Sequence, residues 1–319
     1  MRNMKPIFRN LLLASLLPFM ACNKDSPEDE EYCLRDSYKI PVDFHIVLGH
    51  DTVFKEYKSI DSLYIKTRTD IETPYLKYFV AAFPMTEGLP TAVASSTESD
   101  MTINLHPGRY TMVGWVMYET DEQSRGFNFY DDDLSELLLK NKYNYSGANS
   151  YKIAYRASEP KNIAYNTPEA SLTAKPSMGY YRIIATDSAT FVPSRIVLRY
   201  SSMLPASIHG KTGAFNWWWS DISYDSEPIR LDSVGDLLAH DFVLSQDSKE
   251  TSVTVTIEVY DQSGDLRARK KNVEIPLKNG GITTVTGEFY SFLEIDEDAT
   301  SGSGISIKTD WDATFDIEI

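Results

Sequence analysis

The chain has 319 residues, 31 of them basic and 46 acidic, for a formal net charge of −15. A surface this acidic repels phosphate backbones and anionic headgroups, which argues against nucleic acid as a partner and against a charge-driven membrane contact. Two cysteines exclude a disulfide framework, so each core must hold by packing, and the length suits two domains of roughly 150 residues.

The N-terminus reads as a secretory signal. Arg2, Lys5 and Arg9 precede an uncharged apolar run, "LLLASLLPFMA", at 11–21. That run is too short to span a membrane, which takes about 20 residues. Pro18 breaks the signal helix just before Ala21. Removing 1–21 leaves 28 basic and 46 acidic residues, a net charge of −18. Cys22 stands at the cleavage point. The segment resembles a bacterial lipobox, with Phe19 where Leu is usual. That resemblance implies acylation of Cys22 and attachment to the outer membrane without a spanning helix. The alternative is an ordinary signal peptide cut after Ala21. Residues 22–38 form an acidic tether carrying Asp25, Glu28, Asp29, Glu30 and Glu31. This run resembles the signal that sends Bacteroidetes lipoproteins to the cell surface. It also reads simply as a solvated linker. With Cys22 acylated, Cys33 has no partner within the chain.

From residue 39 onward the apolar residues alternate, the period of strands. "PVDFHIVLG" sets Val42, Phe44, Ile46 and Leu48 against Asp43 and His45. "YLKYFVAAFP" (75–84) and "RYTMVGWVMY" (109–118) are apolar throughout, as covered central strands are. "MTINLHPGRY" alternates and then turns at Pro107-Gly108. "YDDDLSELLLKNK" (130–142) predicts a short helix, with Asp131 to Asp133 at its positive end and Leu134, Leu137 and Leu138 on one face. "TDSATFVPS" (186–194) predicts the domain boundary. "SRIVLRY" alternates again. Val253, Val255, Ile257 and Val259 share a face, and Val273, Ile275 and Leu277 form the return strand. Asn279-Gly280 is a turn pair before a strand from Ile282 to Tyr290. "TFDIEI" ends the chain with Phe315, Ile317 and Ile319 alternating. The pattern predicts an all-β chain of two tandem antiparallel β-sandwiches, 39–188 and 189–319, with one short helix inserted in the first.

The residues show no catalytic constellation and no metal or cofactor motif. His45, His50, His106, His209 and His240 lack metal-ligand spacing, and Asp131-Asp132-Asp133 lacks the alternation and Gly of a calcium loop. "FNWWWSDISY" is the most unusual stretch. Alternation places Trp217 and Trp219 on one face and Trp218 on the other. Exposed, they make a platform for sugar rings or a partner chain; buried, they are core. Thr52, Ser62, Ser188 and Ser233 sit in Asp-Ser/Thr-apolar triplets that resemble the O-glycosylation sequon of Bacteroidetes exported proteins, although composition alone produces such triplets.

Several phrases resemble the fimbrillin-like lipoproteins of Bacteroidetes. They are "LHPGRYTMVGWVMY", "YDDDLSELLLKNKYNYSGANSYKIAYRAS", "ETSVTVTIEVYDQSGDL", "EIPLKNGGITTVTGEF" and "GISIKTDWDATFDIEI". The resemblance runs from Pro41 to Ile319 and is nearest to a subfamily allied to fimbrial anchor and accessory subunits. It implies transthyretin-like, Greek-key sandwiches and a non-catalytic role as anchor, tip or accessory subunit in adhesion. Its partners would be other fimbrial β-subunits, joined by strand addition, with "TFDIEI" (Phe315, Ile317, Ile319) as donor or edge. Shaft subunits of the family lose a long N-terminal strand after an Arg or Lys. Here Arg35 follows Cys22 so closely that cleavage would free a tether and little strand, which favours a retained, anchored subunit; a later cut, near Arg68, would make it a shaft subunit. The alternative function is a surface glycan-binding lipoprotein for polysaccharide uptake or host attachment.

Overall fold

The computed structural model describes residues 39–49, 75–119, 136–138, 145, 147, 152–231, 234–246, 251–291 and 305–310. The signal segment, Cys22, Cys33, the tether, Arg35, Arg68, His50, Thr52, Ser62, Asp131 to Asp133, Ser233 and Phe315, Ile317 and Ile319 lie outside the described residues. Every extended element among those described is a strand.

The first half contains β1 (Ile40–Leu48), β2 (Tyr75–Pro84), β3 (Ala92–Ser96), β4 (Asp100–Leu105), β5 (Gly108–Glu119), β6 (Glu136–Leu138), β7 (Ala154–Ile163) and β8 (Glu169–Pro176). Seven of them follow the order β3-β2-β5-β7-β8-β1-β4. The β7–β8 seam is only two pairs long, Tyr155↔Pro176 and Arg156↔Lys175. It works as a corner between a four-stranded and a three-stranded layer around one core. Val42, Phe44 and Ile46 of β1 are buried while Asp43 and His45 are exposed, as alternation requires. The central strand β5 is buried on both faces from Val113 onward, with Trp115 nearly inaccessible. At its start the Tyr110 hydroxyl donates to the His106 carbonyl at 2.8 Å, closing the "HPGRY" turn.

The second half contains β9 (Met178–Ala185), β10 (Pro193–Tyr200), β11 (Leu204–Pro205), β12 (Ser207–His209), β13 (Trp218–Trp219), β14 (Ser223–Ser226), β15 (Ile229–Leu231), β16 (Gly235–Leu244), β17 (Thr251–Asp261), β18 (Leu266–Leu277), β19 (Ile282–Gly287) and β20 (Ile305–Asp310). One sheet runs β14-β10-β17-β18 and another β15-β16-β9-β19-β20. Together they line a second core of Ile196, Leu198, Val253, Val255, Ile257 and Val259 facing Tyr181, Ile183, Leu238 and Val285. Full burial of one such side chain contributes about 1.5–3 kcal/mol, which is why these strands read so clearly in the sequence.

The two halves repeat one topology. Strands β1, β2, β3, β4, β5, β7 and β8 correspond in order to β9, β10, β14, β16, β17, β18 and β19. The pairs β1–β4 and β9–β16 are both antiparallel, and so are β2–β3 and β10–β14. The pairs β2–β5 and β5–β7 match β10–β17 and β17–β18. The pairs β1–β8 and β9–β19 are both parallel. The all-antiparallel expectation is therefore corrected: in each half the last strand of the repeat lies beside and parallel to the first. Alternation has the same period in both pairings, so the sequence pattern does not distinguish them.

Two further expectations change. Glu136–Leu138, inside the predicted helix, forms strand β6 and pairs antiparallel with β12, Leu137 opposite Ile208. A short leucine run follows whichever backbone partner is offered, and here tertiary pairing wins over helix propensity. Ser177 separates β8 of one sheet from β9 of another. The Asn279-Gly280 turn exists, closed by Gly281 N–H to the Lys278 carbonyl at 2.9 Å, with Gly280 at φ +67°. It carries the chain from one sheet into the other. β19 also ends at Gly287, short of Tyr290. Beyond it the amides of Phe289, Tyr290 and Ser291 donate to the Asp187 carboxylate at 2.9, 2.9 and 2.8 Å, and the Ser291 hydroxyl donates at 2.7 Å.

Asp187 thus replaces a strand partner for that segment, and charge-assisted bonds of this kind are stronger than neutral ones. Asp187→Ala is expected to lower the unfolding free energy by about 1–3 kcal/mol. Urea denaturation of the two proteins measures it; an unchanged midpoint and slope would show that solvent replaces the carboxylate at no cost.

Candidate functional site

In each half a segment between strands of the repeat carries described residues that dock on the other half. Between β10 and β14 the chain leaves the repeat at 201–222. Its β11–β13 ladder pairs Leu204 with Trp219 and Pro205 with Trp218. The Ala206 amide donates to the Trp217 carbonyl at 2.8 Å, and the Trp217 amide to Ser207 Oγ at 3.0 Å. On the first half, the Ser158 hydroxyl donates to the Lys211 carbonyl at 2.7 Å, and the Lys211 ammonium sits 4.4 Å from the Phe83 ring centre. β6 and β12 pair across the same junction.

This excursion carries the tryptophans. Trp217 and Trp218 are 57% and 47% exposed, and Met203 nearby in the same segment is 61% exposed. Trp219 turns inward, touching both cores and meeting Tyr145 edge-on at 6.4 Å. Phe215 braces the Trp218 ring edge-on at 6.1 Å. The expectation that Trp217 and Trp219 share a face is corrected. Only Trp218 and Trp219 belong to the β13 ladder, so alternation does not govern Trp217. The result is a pair of adjacent exposed indoles framed by the exposed polar residues Asn216, Ser220 and Asp221.

The reciprocal excursion lies between β5 and β7. From it Tyr145 and Lys152 enter the core of the second half and meet Asp241, in the middle of β16. Lys152 and Asp241 have 1% and 0% side-chain exposure, with Nζ 2.5 Å from Oδ1. Oδ2 accepts from the Tyr145 hydroxyl at 2.7 Å and from the Tyr200 hydroxyl at 2.5 Å. Oδ1 also accepts from the Phe242 amide at 2.6 Å. Lys152 donates to the Tyr145 hydroxyl at 2.8 Å and lies 4.0 Å from that ring centre. Tyr181 and Tyr200 share a hydrogen bond of 2.7 Å, and the Tyr224 hydroxyl donates to the His240 carbonyl at 2.8 Å. Gly147 lets the excursion press on Tyr224: a Cβ there would lie 2.1 Å from that ring.

Burial governs the charges. It pushes Asp241 up and Lys152 down, each opposed by attraction to the other. Burial first, and the Asp241 charge second, raise Tyr145, Tyr200 and Tyr181 far above the ordinary phenol range, so all three remain O–H donors. His240 is depressed from 6.5 to about 3 by burial and then by the Lys152 charge. The sequence reading missed this cluster. Its one visible signal was an Asp in the apolar run "LLAHDFVL".

Of the other singled-out residues, Ser188 is exposed beside Asp187. His45 is exposed and hydrogen-bonds Asp100 Oδ1 at 2.8 Å. Among the described residues no three His, Cys, Asp or Glu side chains converge as metal ligands, and no helix is long and apolar enough to cross a membrane.

His240 gives the fold an acid sensitivity of known sign. Its folded pKa lies below its unfolded value, so its contribution is whole above pH 6.5 and is lost as the pH falls toward about 3. At about 1.4 kcal/mol per unit, that loss reaches about 5 kcal/mol at the acid end. Urea unfolding between pH 7 and pH 4 is expected to show a steeper loss for the native chain than for His240→Phe, which cannot protonate. Parallel curves would mean that the imidazole takes up its proton in the folded state.

Solved structures of similar course come from Bacteroides and Porphyromonas. A candidate cell adhesion protein of Bacteroides eggerthii is 11% identical, with 86% of this chain and 95% of that one covered and a TM-score of 0.49. A candidate polysaccharide-binding protein of Bacteroides thetaiotaomicron is 8% identical, with 85% and 97% covered and a TM-score of 0.46. The tip fimbrial protein Mfa3 of Porphyromonas gingivalis, truncated at its C-terminus, is 8% identical, with 85% and 99% covered and a TM-score of 0.39. At these values the likeness carries no ligand, partner or activity across to this chain. No curated protein matches it in sequence. Residues 62–319 match a family of unknown function (DUF6562), and the chain belongs to that family.

Proposed function

We propose that the chain is a non-catalytic adhesion subunit of a surface fimbria, an anchor, tip or accessory subunit. Acyl groups on Cys22 hold it at the outer membrane, and strand addition joins it to other fimbrial β-subunits. In this reading the two seven-strand repeats are tandem transthyretin-like sandwiches, and Arg35 is left uncut. The fimbrillin-like phrases support it by their positions: "LHPGRYTMVGWVMY" covers the end of β4 and most of the doubly buried β5, and "ETSVTVTIEVYDQSGDL" covers β17.

One observation carries the reading. Strand β20 has no counterpart in the first repeat. It lies on the open edge of β19, paired from Ile282↔Asp310 to Gly287↔Ile305. Ser306, Ile307 and Lys308 are all exposed along it. An edge that accepts an added strand along a regular ladder suits strand exchange between subunits. The tail that follows, with Phe315, Ile317 and Ile319, is the proposed donor or edge for a partner.

The protein purified from the cell surface should begin at an acylated Cys22 and bring a fimbrial β-subunit with it. Deletion of 313–319 should lose the partner while leaving the acyl group and the fold intact. Undiminished co-purification would rule out the tail as the joint. A mature N-terminus after Arg35 or Arg68 would make this a polymer subunit instead.

The exposed Trp217 and Trp218 favour a second reading, a surface glycan-binding lipoprotein, because adjacent indoles offer flat faces to sugar rings. On a glycan array Trp218→Ala and Trp217→Ala would then each lose most of the native signal. Equal signal from all three proteins would remove the indoles from any glycan site.

A further inference from the structure

We propose that Lys152 and Asp241 condense in the folded chain into an intramolecular amide, Nζ to Cγ, that covalently ties the two halves together. The two residues are 89 positions apart in sequence, one just before β7 and the other within β16. Their side chains are wholly buried and already in contact. Holding two reactants in such contact replaces a bimolecular encounter with an effectively unimolecular one.

Each role in the condensation has an occupant. The amine is the nucleophile and the carboxyl carbon the electrophile. One proton first passes from the ammonium through the Tyr145 hydroxyl to Oδ2, giving a neutral amine and a neutral acid protonated on Oδ2. Burial favours that exchange, because it pushes the lysine down and the aspartate up. The Phe242 amide at 2.6 Å from Oδ1 is placed to hold the charge that gathers there as nitrogen adds to Cγ. Tyr145 bridges the reacting groups, accepting from Nζ at 2.8 Å and donating to Oδ2 at 2.7 Å. It therefore takes a proton from nitrogen while giving its own to the departing oxygen. Tyr200 supports the same oxygen at 2.5 Å. The C–N bond forms, the Cγ–Oδ2 bond breaks, and Oδ2 leaves as water. No electron is transferred and no cofactor enters. Tyr145, Tyr181, Tyr200, Tyr224 and Trp219 keep water from the product. A buried ion pair pays desolvation twice and a buried amide does not, so the enclosure favours the bond.

Denaturing mass spectrometry of the full-length folded protein decides the matter. The expected mass is lower than the sequence requires by one water. After proteolysis a branched peptide should join the segments that carry Lys152 and Asp241. Lys152→Arg and Asp241→Ala should restore the sequence mass, and Tyr145→Phe should slow the appearance of the branched form after refolding. A native chain at its sequence mass, with separate Lys152 and Asp241 peptides, overturns the proposal. That measurement needs no variant to fold. Bond formation in Tyr145→Phe at the native rate would overturn the relay through Tyr145.

Discussion

A charge placed in the middle of an apolar strand has to be answered, and the answer to Asp241 comes from the other half of the molecule. Every oxygen lone pair it presents is used, by Lys152, Tyr145, Tyr200 and its own neighbour's amide. Removing one partner would leave the rest desolvated and unmatched, at a cost of about 3–5 kcal/mol. The excursion that brings Tyr145 and Lys152 is therefore fixed by electrostatics as well as by packing. The opposite excursion returns the arrangement, with Lys211 over Phe83 and β12 against β6. Two units built on one topology are locked by exchanged segments. Their apolar interiors also touch, because Met178 and Tyr180 of β9 face the first core while Tyr181 and Ile183 face the second.

The strands were legible in the sequence where one face is buried and the other wet. Val42, Phe44 and Ile46 against Asp43 and His45, and Val253 to Val259 against Thr254 and Thr256, show why: burial energy and a period of two leave a written trace. The doubly covered β5 was legible for the related reason that it lacks polar residues. Strand partnership left no such trace. Parallel β1–β8 and β9–β19 use the same alternation as their antiparallel neighbours, so the repeat emerges only once pairing is known.

The misread elements share a cause. Leu137 and Leu138 suit a helix locally, and β12 supplies a distant backbone that overrides the preference. The Asn279-Gly280 turn stands where it was expected, but its direction is set from afar: the Gly280 amide donates to the Met178 carbonyl, which steers the chain onto β9. Trp217 escapes alternation because its ladder is two residues long. In each case the deciding partner is far away in sequence. The buried cluster is the extreme instance, since four of its members come from separate segments and only Asp241 looks out of place where it stands.

The sheet edges of the second half are not equivalent. β14 and β15 are four and three residues long, too short to template much pairing. β18 is twelve residues long and guarded: it carries Arg267, Arg269, Lys270 and Lys271, register shifts against β17, and Asn272 at φ +55°. Positive charge and bulges are the ordinary means of keeping an edge from pairing with a stranger. The edge of β19 has neither guard. It reads "ITTVTG", six uncharged residues without an irregularity in its ladder to β20. Val285 is held in the sheet by burial, whereas Ile307 opposite it is exposed, as are Lys308 opposite Thr284 and Ser306 opposite Thr286. The strand that covers this edge rests on a regular ladder of six pairs, with Ser306, Ile307 and Lys308 exposed along it.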